Sequence, residues 1–386
     1  MNDRIKDMLH KNIDAVGVFA FMLCVFTYIM FVVKWNSDLP SHAYIAKQML
    51  LEHRLFSANF LMYFIVNLLS LFTGSGFLAR IALVFLISFA NAVKYVIVRE
   101  AFKEWTSEKN AQWSSASLLV VYIVPLMCFL YLLGVADFTD NMYWDYFVPN
   151  VWHNSTILCM MPFAIACYLL SVKQFEEFTN KRNWYITLLL AISVLVKPSF
   201  YFVYVVAYPI IMISKYGFGK ETLRSLIPLL IGGVCLAYEY ITIYYHGGND
   251  GSGVVIDIMP PLTLNFWKSC ALFLSVSLFL PLLFLCLYAR TVYKDREFWF
   301  ILIMLICAFG IHWCCQETGP RAGHGNFGWQ TIAAMWFTYY YILKTIIIDC
   351  EGVRSADRGG VFAAYCAVSV RLARYYGYCL PHKIFA

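Results

Sequence analysis

A carboxylate at Asp38 with an imidazole at His42 is a pair able to hold and accept a hydroxyl proton. Their i,i+4 spacing puts both on one face of a helix. Asp38 also precedes Pro40, so the same side chain suits the N-cap of a helix led by that proline, and the sequence leaves both roles open. Lys197 stands before Pro198, which disfavours helix at the preceding residue and has no N–H to donate. A lysine at such a break suits an anion such as phosphate, and a lysine snorkelling to the membrane surface is the plainer alternative. A second polar island holds Glu317, Arg321, His324, Asn326 and Trp329 among Gly323, Gly325 and Gly328. Close backbone approach and a guanidinium fork suit phosphate or carboxylate, unless Glu317 and Arg321 simply clasp the loop. A third island, residues 137–155, combines Asp137, Asp140 and Asp145 with Trp152, His153 and Asn154. Acids, amides and flat rings suit a sugar, while the aromatics alone would suit an interfacial belt. Glu239 lies inside an apolar run, where an acid is a functional candidate by default.

These residues are set in a chain that is 61% hydrophobic and 13% charged over 386 residues, the composition of a polytopic membrane protein without a sizeable soluble domain. Most of the thirteen cysteines fall inside apolar runs and act there as small fillers, with no CxxC or His/Cys ligand spacing. The glycine-rich 247–253 stretch follows no strand and lacks the lysine of a nucleotide loop, so it reads as a flexible loop. The net charge of +6 is explained by topology and implies no nucleic acid.

Apolar runs predict an all-α transmembrane bundle of about ten spans, beginning near residues 13, 77, 116, 154, 184, 199, 225, 266, 298 and 328. The run Asn59 to Phe72 is too short to cross, since a span needs roughly 20 residues. With that run outside the membrane core and the N-terminus in the cytoplasm, every basic residue except Lys34, Lys47, Arg54, Arg80, Lys197, Lys268 and Arg321 falls in a cytoplasmic segment. Letting it cross would invert this pattern, against the positive-inside rule. Residues 37–54 have helical spacing, with Ala43, Ala46, Met49 and Leu50 on one face, so the first outer loop is expected to form two membrane-parallel helices. The transmembrane part is expected over 1–351 and a cytoplasmic amphipathic tail over 352–386. The polar islands then share one membrane face.

The order of these features resembles the GT-C superfamily of polytopic glycosyltransferases. It rests on Asp38 soon after the first span, on the phrases Asn59-Phe60-Leu61-Met62-Tyr63, Leu71-Phe72-Thr73-Gly74 and Leu78-Ala79-Arg80, and on the helix pair broken at Lys197-Pro198, covering roughly residues 10–215. The resemblance implies a bacterial inner-membrane enzyme moving a sugar from a polyprenyl-phosphate donor to a glycan or lipid-linked acceptor on the periplasmic face. In that scheme Asp38 is the base that activates the acceptor hydroxyl, and Lys197 and Arg321 hold the lipid phosphate. Many members carry two adjacent acids in the first loop, whereas Asp38 is flanked by Ser37 and Leu39, which leaves a divalent cation open. Two other functions compete. A polysaccharide polymerase or ligase would need a larger, arginine-rich outer loop, and a transporter or flippase would spread polarity through the membrane depth.

Overall fold

In the computed structural model the chain is described over residues 12–32, 38–53, 59–108, 154–242, 253–256, 278–319 and 326–345. The described residues form eleven α-helices: α1 Ile13–Phe31, α2 Leu39–Leu51, α3 Phe60–Leu69, α4 Gly76–Glu108, α5 Ser155–Glu176, α6 Asn180–Val196, α7 Ser199–Tyr216, α8 Lys220–Ile241, α9 Phe279–Val292, α10 Arg296–Cys314 and α11 Trp329–Lys344. Two short strands, β1 Gly253–Ile256 and β2 Cys315–Thr318, pair antiparallel with Val254 opposite Glu317. This ribbon departs from the all-helical expectation, which assigns no strand to residues 253–256 or 315–318.

Helices α1, α4, α5, α7, α8 and α10 are long and apolar enough to cross a membrane, and the chain is a multi-pass membrane protein. They coincide with the spans expected near 13, 77, 154, 199, 225 and 298. The runs near 184 and 328 form α6 and α11, of 17 and 16 residues, while the run near 266 is described only from α9. The span expected near 116 and the 352–386 tail lie outside the described residues. Helix α3 has only 10 residues, in accord with a segment too short to cross.

Local chemistry sets the helix ends. The Asn154 side chain accepts from the backbone N–H of Thr156 and of Ile157, both at 3.1 Å, and starts α5. Thr179 starts α6 in the same way, accepting from Arg182 N–H at 3.3 Å. The segment ends at Lys197, held extended before Pro198, and α7 begins directly after it. Pro228 inside α8 has no N–H for the Arg224 carbonyl, and the Asn183 side-chain amide of α6 donates to that carbonyl instead at 2.9 Å. One face of α8 is nearly bare at Gly232, where a Cβ would stand 2.5 Å from the Tyr201 ring. The Tyr201 hydroxyl donates to the Leu229 carbonyl at 2.7 Å across this close approach.

The core of the bundle is aromatic. Tyr168, Tyr204, Tyr208 and Phe300 are buried and pack edge-to-face or stacked, with Tyr204 and Tyr208 rings 4.8 Å apart. Side-chain pairs at the two ends give the helices their directions. At one end Arg99 of α4 pairs with Asp14 of α1 at 2.6 Å, and Lys173 of α5 with Glu104 of α4 at 2.5 Å. At the other end the Phe31 and Phe77 rings pack 5.9 Å apart, and Asp38 meets Asn154. Helices α1 and α6 therefore run toward the Asp38 end, and α4, α5 and α7 run away from it.

Candidate functional site at the Asp38 end of the bundle

Asp38 occupies the N-cap position of α2, where its backbone carbonyl accepts from the His42 N–H at 2.9 Å but its side chain makes no cap bond to the helix amides. Its Oδ2 accepts from the Asn154 side-chain amide at 2.8 Å instead. Asn154 thus uses its oxygen to cap α5 and its nitrogen to hold Asp38, so the two expected site residues meet across 116 positions of chain. The imidazole of His42 is hydrogen-bonded through Nδ1 to the Tyr63 hydroxyl at 2.6 Å, and the two rings stack at 5.8 Å. Tyr63 belongs to α3, whose Asn67 amide also donates to the Ala46 carbonyl of α2 at 2.9 Å. The matching steps 42 to 46 and 63 to 67 show that α2 and α3 run side by side in the same sense. His42 therefore serves at least to fasten α2 to α3, a contact that its spacing from Asp38 did not reveal.

Glu239, near the end of α8, is 1% exposed. Its Oε1 accepts from the backbone N–H of Asn59 at 3.0 Å, and Asn59, in the left-handed region at φ 67°, starts α3. Its Oε2 has no hydrogen-bond partner among the described residues. The charge of Lys197 acts on this carboxylate, so α3, α6 and α8 converge here.

Lys197 itself is 7% exposed and places Nζ 5.2 Å from the centre of the Trp329 ring. A desolvated cation over an indole face gains about 2 kcal/mol, which offsets part of the cost of removing an ammonium from water. Trp329 opens α11 directly after a short 3₁₀ turn, Asn326–Gly328. From that turn Asn326 donates its amide to Glu317 Oε2 at 2.6 Å, so the ribbon and the start of α11 are joined. The Phe327 carbonyl lies 3.3 Å from His312 Nδ1, and the Phe327 ring packs 6.3 Å from Phe202 at the start of α7.

Of the expected site residues, Asp38 meets Asn154, Lys197 meets Trp329, and Glu317 meets Asn326. Glu239 links α3 to the Lys197 group. Trp152, His153, Arg321 and His324 lie outside the described residues, and so does an Arg321–Glu317 clasp. His312 joins the site although nothing in the sequence singled it out, and Asn59 and Tyr63, noted there only as the ends of one phrase, join it through Glu239 and His42.

The described residues hold no group of three or more His, Cys, Asp or Glu able to bind a metal ion. Burial, and then Cys314 beside it, push the Cys315 thiol up, which argues against a thiolate nucleophile at the edge of this site. What the arrangement offers is an acid held by an amide, a buried lysine on an indole and a buried second acid, all at one end of the bundle.

Polarity is not confined to that end, contrary to the sequence expectation. Glu297 of α10 is 3% exposed, accepts from the Tyr168 hydroxyl at 2.5 Å and is ion-paired with Lys344 of α11. Lys344 sits 4.4 Å over Trp105, and Asp295 accepts from the Tyr341 hydroxyl at 2.7 Å. No family model matches the chain, and no curated protein or solved structure matches it either.

Proposed function

We propose that this protein is a membrane glycosyltransferase that moves a sugar from a polyprenyl-phosphate donor to a glycan or lipid-linked acceptor at its Asp38 end. The observation that carries this reading is the convergence of a held carboxylate, Asp38 on Asn154, with a buried cation, Lys197 on Trp329, at the same end of an apolar bundle. A transferase of this kind needs a base for the acceptor hydroxyl and a cation for the departing lipid phosphate. Asp38 takes the proton as the acceptor oxygen attacks the anomeric carbon, and the bond from that carbon to the phosphate oxygen breaks. Lys197, together with Arg321, holds the phosphate that leaves.

The membrane setting belongs to the same proposal: ten spans, a cytoplasmic N-terminus and a periplasmic site in a bacterial inner membrane. The charge bias of the sequence supports this orientation. Helices α2 and α3 lie along the outer membrane surface, supported by the exposed apolar side chains Phe64, Leu68, Leu69 and Leu71.

The test is sugar transfer from a polyprenyl-phosphate donor by purified protein, comparing wild type with Asp38→Asn. That variant keeps the size of the side chain and an oxygen for Asn154 to donate to. Removing a general base costs about 10²–10⁴-fold, so transfer should fall by that order while donor binding persists. Near-normal turnover would remove Asp38 from the chemistry.

A second reading, export of a lipid-linked glycan, draws on the buried Glu297–Lys344 pair, since buried polar groups at both ends of the bundle suit a path from one face to the other. Glycolipid translocation by vesicle-reconstituted protein without any sugar transfer would select it.

A further inference from the structure

Among the described acids at the Asp38 end Glu239 is the most completely buried, and only half of it is used. Its Oε1 holds the first amide of α3, while Oε2 has no hydrogen-bond partner among the described residues. A carboxylate oxygen buried without a donor is costly, and a group that completes it binds with that cost removed. The charge of Lys197 acts on the carboxylate but offsets only part of the cost of its burial. A neutral donor can satisfy the open oxygen without a second cation being taken out of water, and a hydroxyl is the smallest such group. Because Lys197 stands beside it, a ligand carrying both phosphate and hydroxyls can satisfy both residues at once.

We infer that Glu239 is a sugar-binding residue: its Oε2 accepts a hydrogen bond from one hydroxyl of the lipid-linked sugar, while Oε1 keeps α3 in place. This rests on the glycosyltransferase reading above and adds to it the residue that selects the sugar. A carboxylate set to receive one hydroxyl discriminates against analogues that cannot donate there, because the buried oxygen is then left unpaired.

The test uses full-length protein in nanodiscs and a panel of short-chain polyprenyl-phosphate hexoses with their monodeoxyfluoro analogues, read as binding affinity. Fluorine keeps the size of a hydroxyl but cannot donate. Wild type should bind one analogue about 10–100-fold more weakly than its parent, the worth of a hydrogen bond to a charged group. Glu239→Gln keeps an oxygen for the Asn59 amide but turns an amide N–H toward the sugar. In that variant the parent should weaken and the penalty for the same analogue should collapse.

Asn67→Ala loosens α3 from α2 without touching Glu239, and there the penalty should remain. No discriminating position in wild type, or discrimination that survives Glu239→Gln, overturns the assignment while leaving the glycosyltransferase reading intact. Loss of discrimination in Asn67→Ala as well would place the effect in α3's position and also overturn it. Failure of wild type to bind any parent hexose overturns the glycosyltransferase reading and this inference with it.

Discussion

Asn154 shows how one side chain can serve structure and site together. Its oxygen caps α5 and its nitrogen holds Asp38, so replacements separate the two tasks. Asn154→Ala removes both, and loss of such a cap costs about 0.5–2 kcal/mol, so thermal unfolding should move to lower temperature. Asn154→Asp keeps an acceptor for the Thr156 and Ile157 amides but sets a second carboxylate against Asp38. Stability should then stay close to wild type while transfer falls, because like charges at hydrogen-bonding distance favour protonation of one of them. Unfolding curves and transfer rates of the two variants, measured side by side, check the separation. Equal activity in Asn154→Asp and wild type would mean that the amide does not tune Asp38.

Helices are tied to one another by a few polar contacts within an apolar bundle. Glu297 and Lys344 join α10 to α11, with Tyr168 of α5 and Trp105 of α4 closing around them. Breaking a buried pair from one side leaves a charge without compensation and typically costs about 3–5 kcal/mol. Lys344→Met should therefore lower detergent-resistant stability strongly. Combining it with Glu297→Gln should recover much of the loss, since an uncharged pair needs no compensation. A double-mutant cycle on denaturation midpoints reads the coupling, and strictly additive losses would show that the pair contributes nothing as a pair.

At the scale of the whole molecule the two ends differ in chemistry. One gathers Asp38, Asn154, Lys197, Glu239 and Glu317, and the other gathers Asp14, Arg99, Glu104, Lys173, Glu297 and Lys344. In the proposed topology the first end faces the periplasm. Single cysteines at positions 38 and 254, in a background without the thirteen native ones, should react with an impermeant reagent from outside intact cells. Cysteines at positions 181 and 294 should react only after permeabilisation. The reverse pattern would put the site in the cytoplasm and remove the case for a periplasmic glycosyltransferase.

Membrane character, the helical class and the ends of several elements were legible in the sequence alone, because they depend on properties carried by neighbouring residues. Apolar length marks a span, Pro198 forces the break after Lys197, and the 14 residues from Asn59 to Phe72 cannot cross. Asp38, Asn154, Glu239 and Glu317 stood out for the same reason, as polar side chains beside or within apolar runs. Their partnerships were not legible. Asp38 and Asn154 are 116 residues apart, and Glu239 reaches Asn59 across 180, so no local spacing encodes either contact. His42 was legible as a neighbour of Asp38 on one helix face, but not its bond through Nδ1 to Tyr63, which exists because α3 lies along α2. The β1–β2 ribbon escaped notice since two four-residue strands separated by 58 residues carry almost no periodic signal. Lys344 counted only as one more cytoplasmic basic residue and Glu297 drew no reading at all, and only packing against Tyr168 and Trp105 buries them. Hydropathy and backbone chemistry act over a few residues and can be read from the chain, whereas the partner of a buried charge is decided by which helix happens to pack beside it.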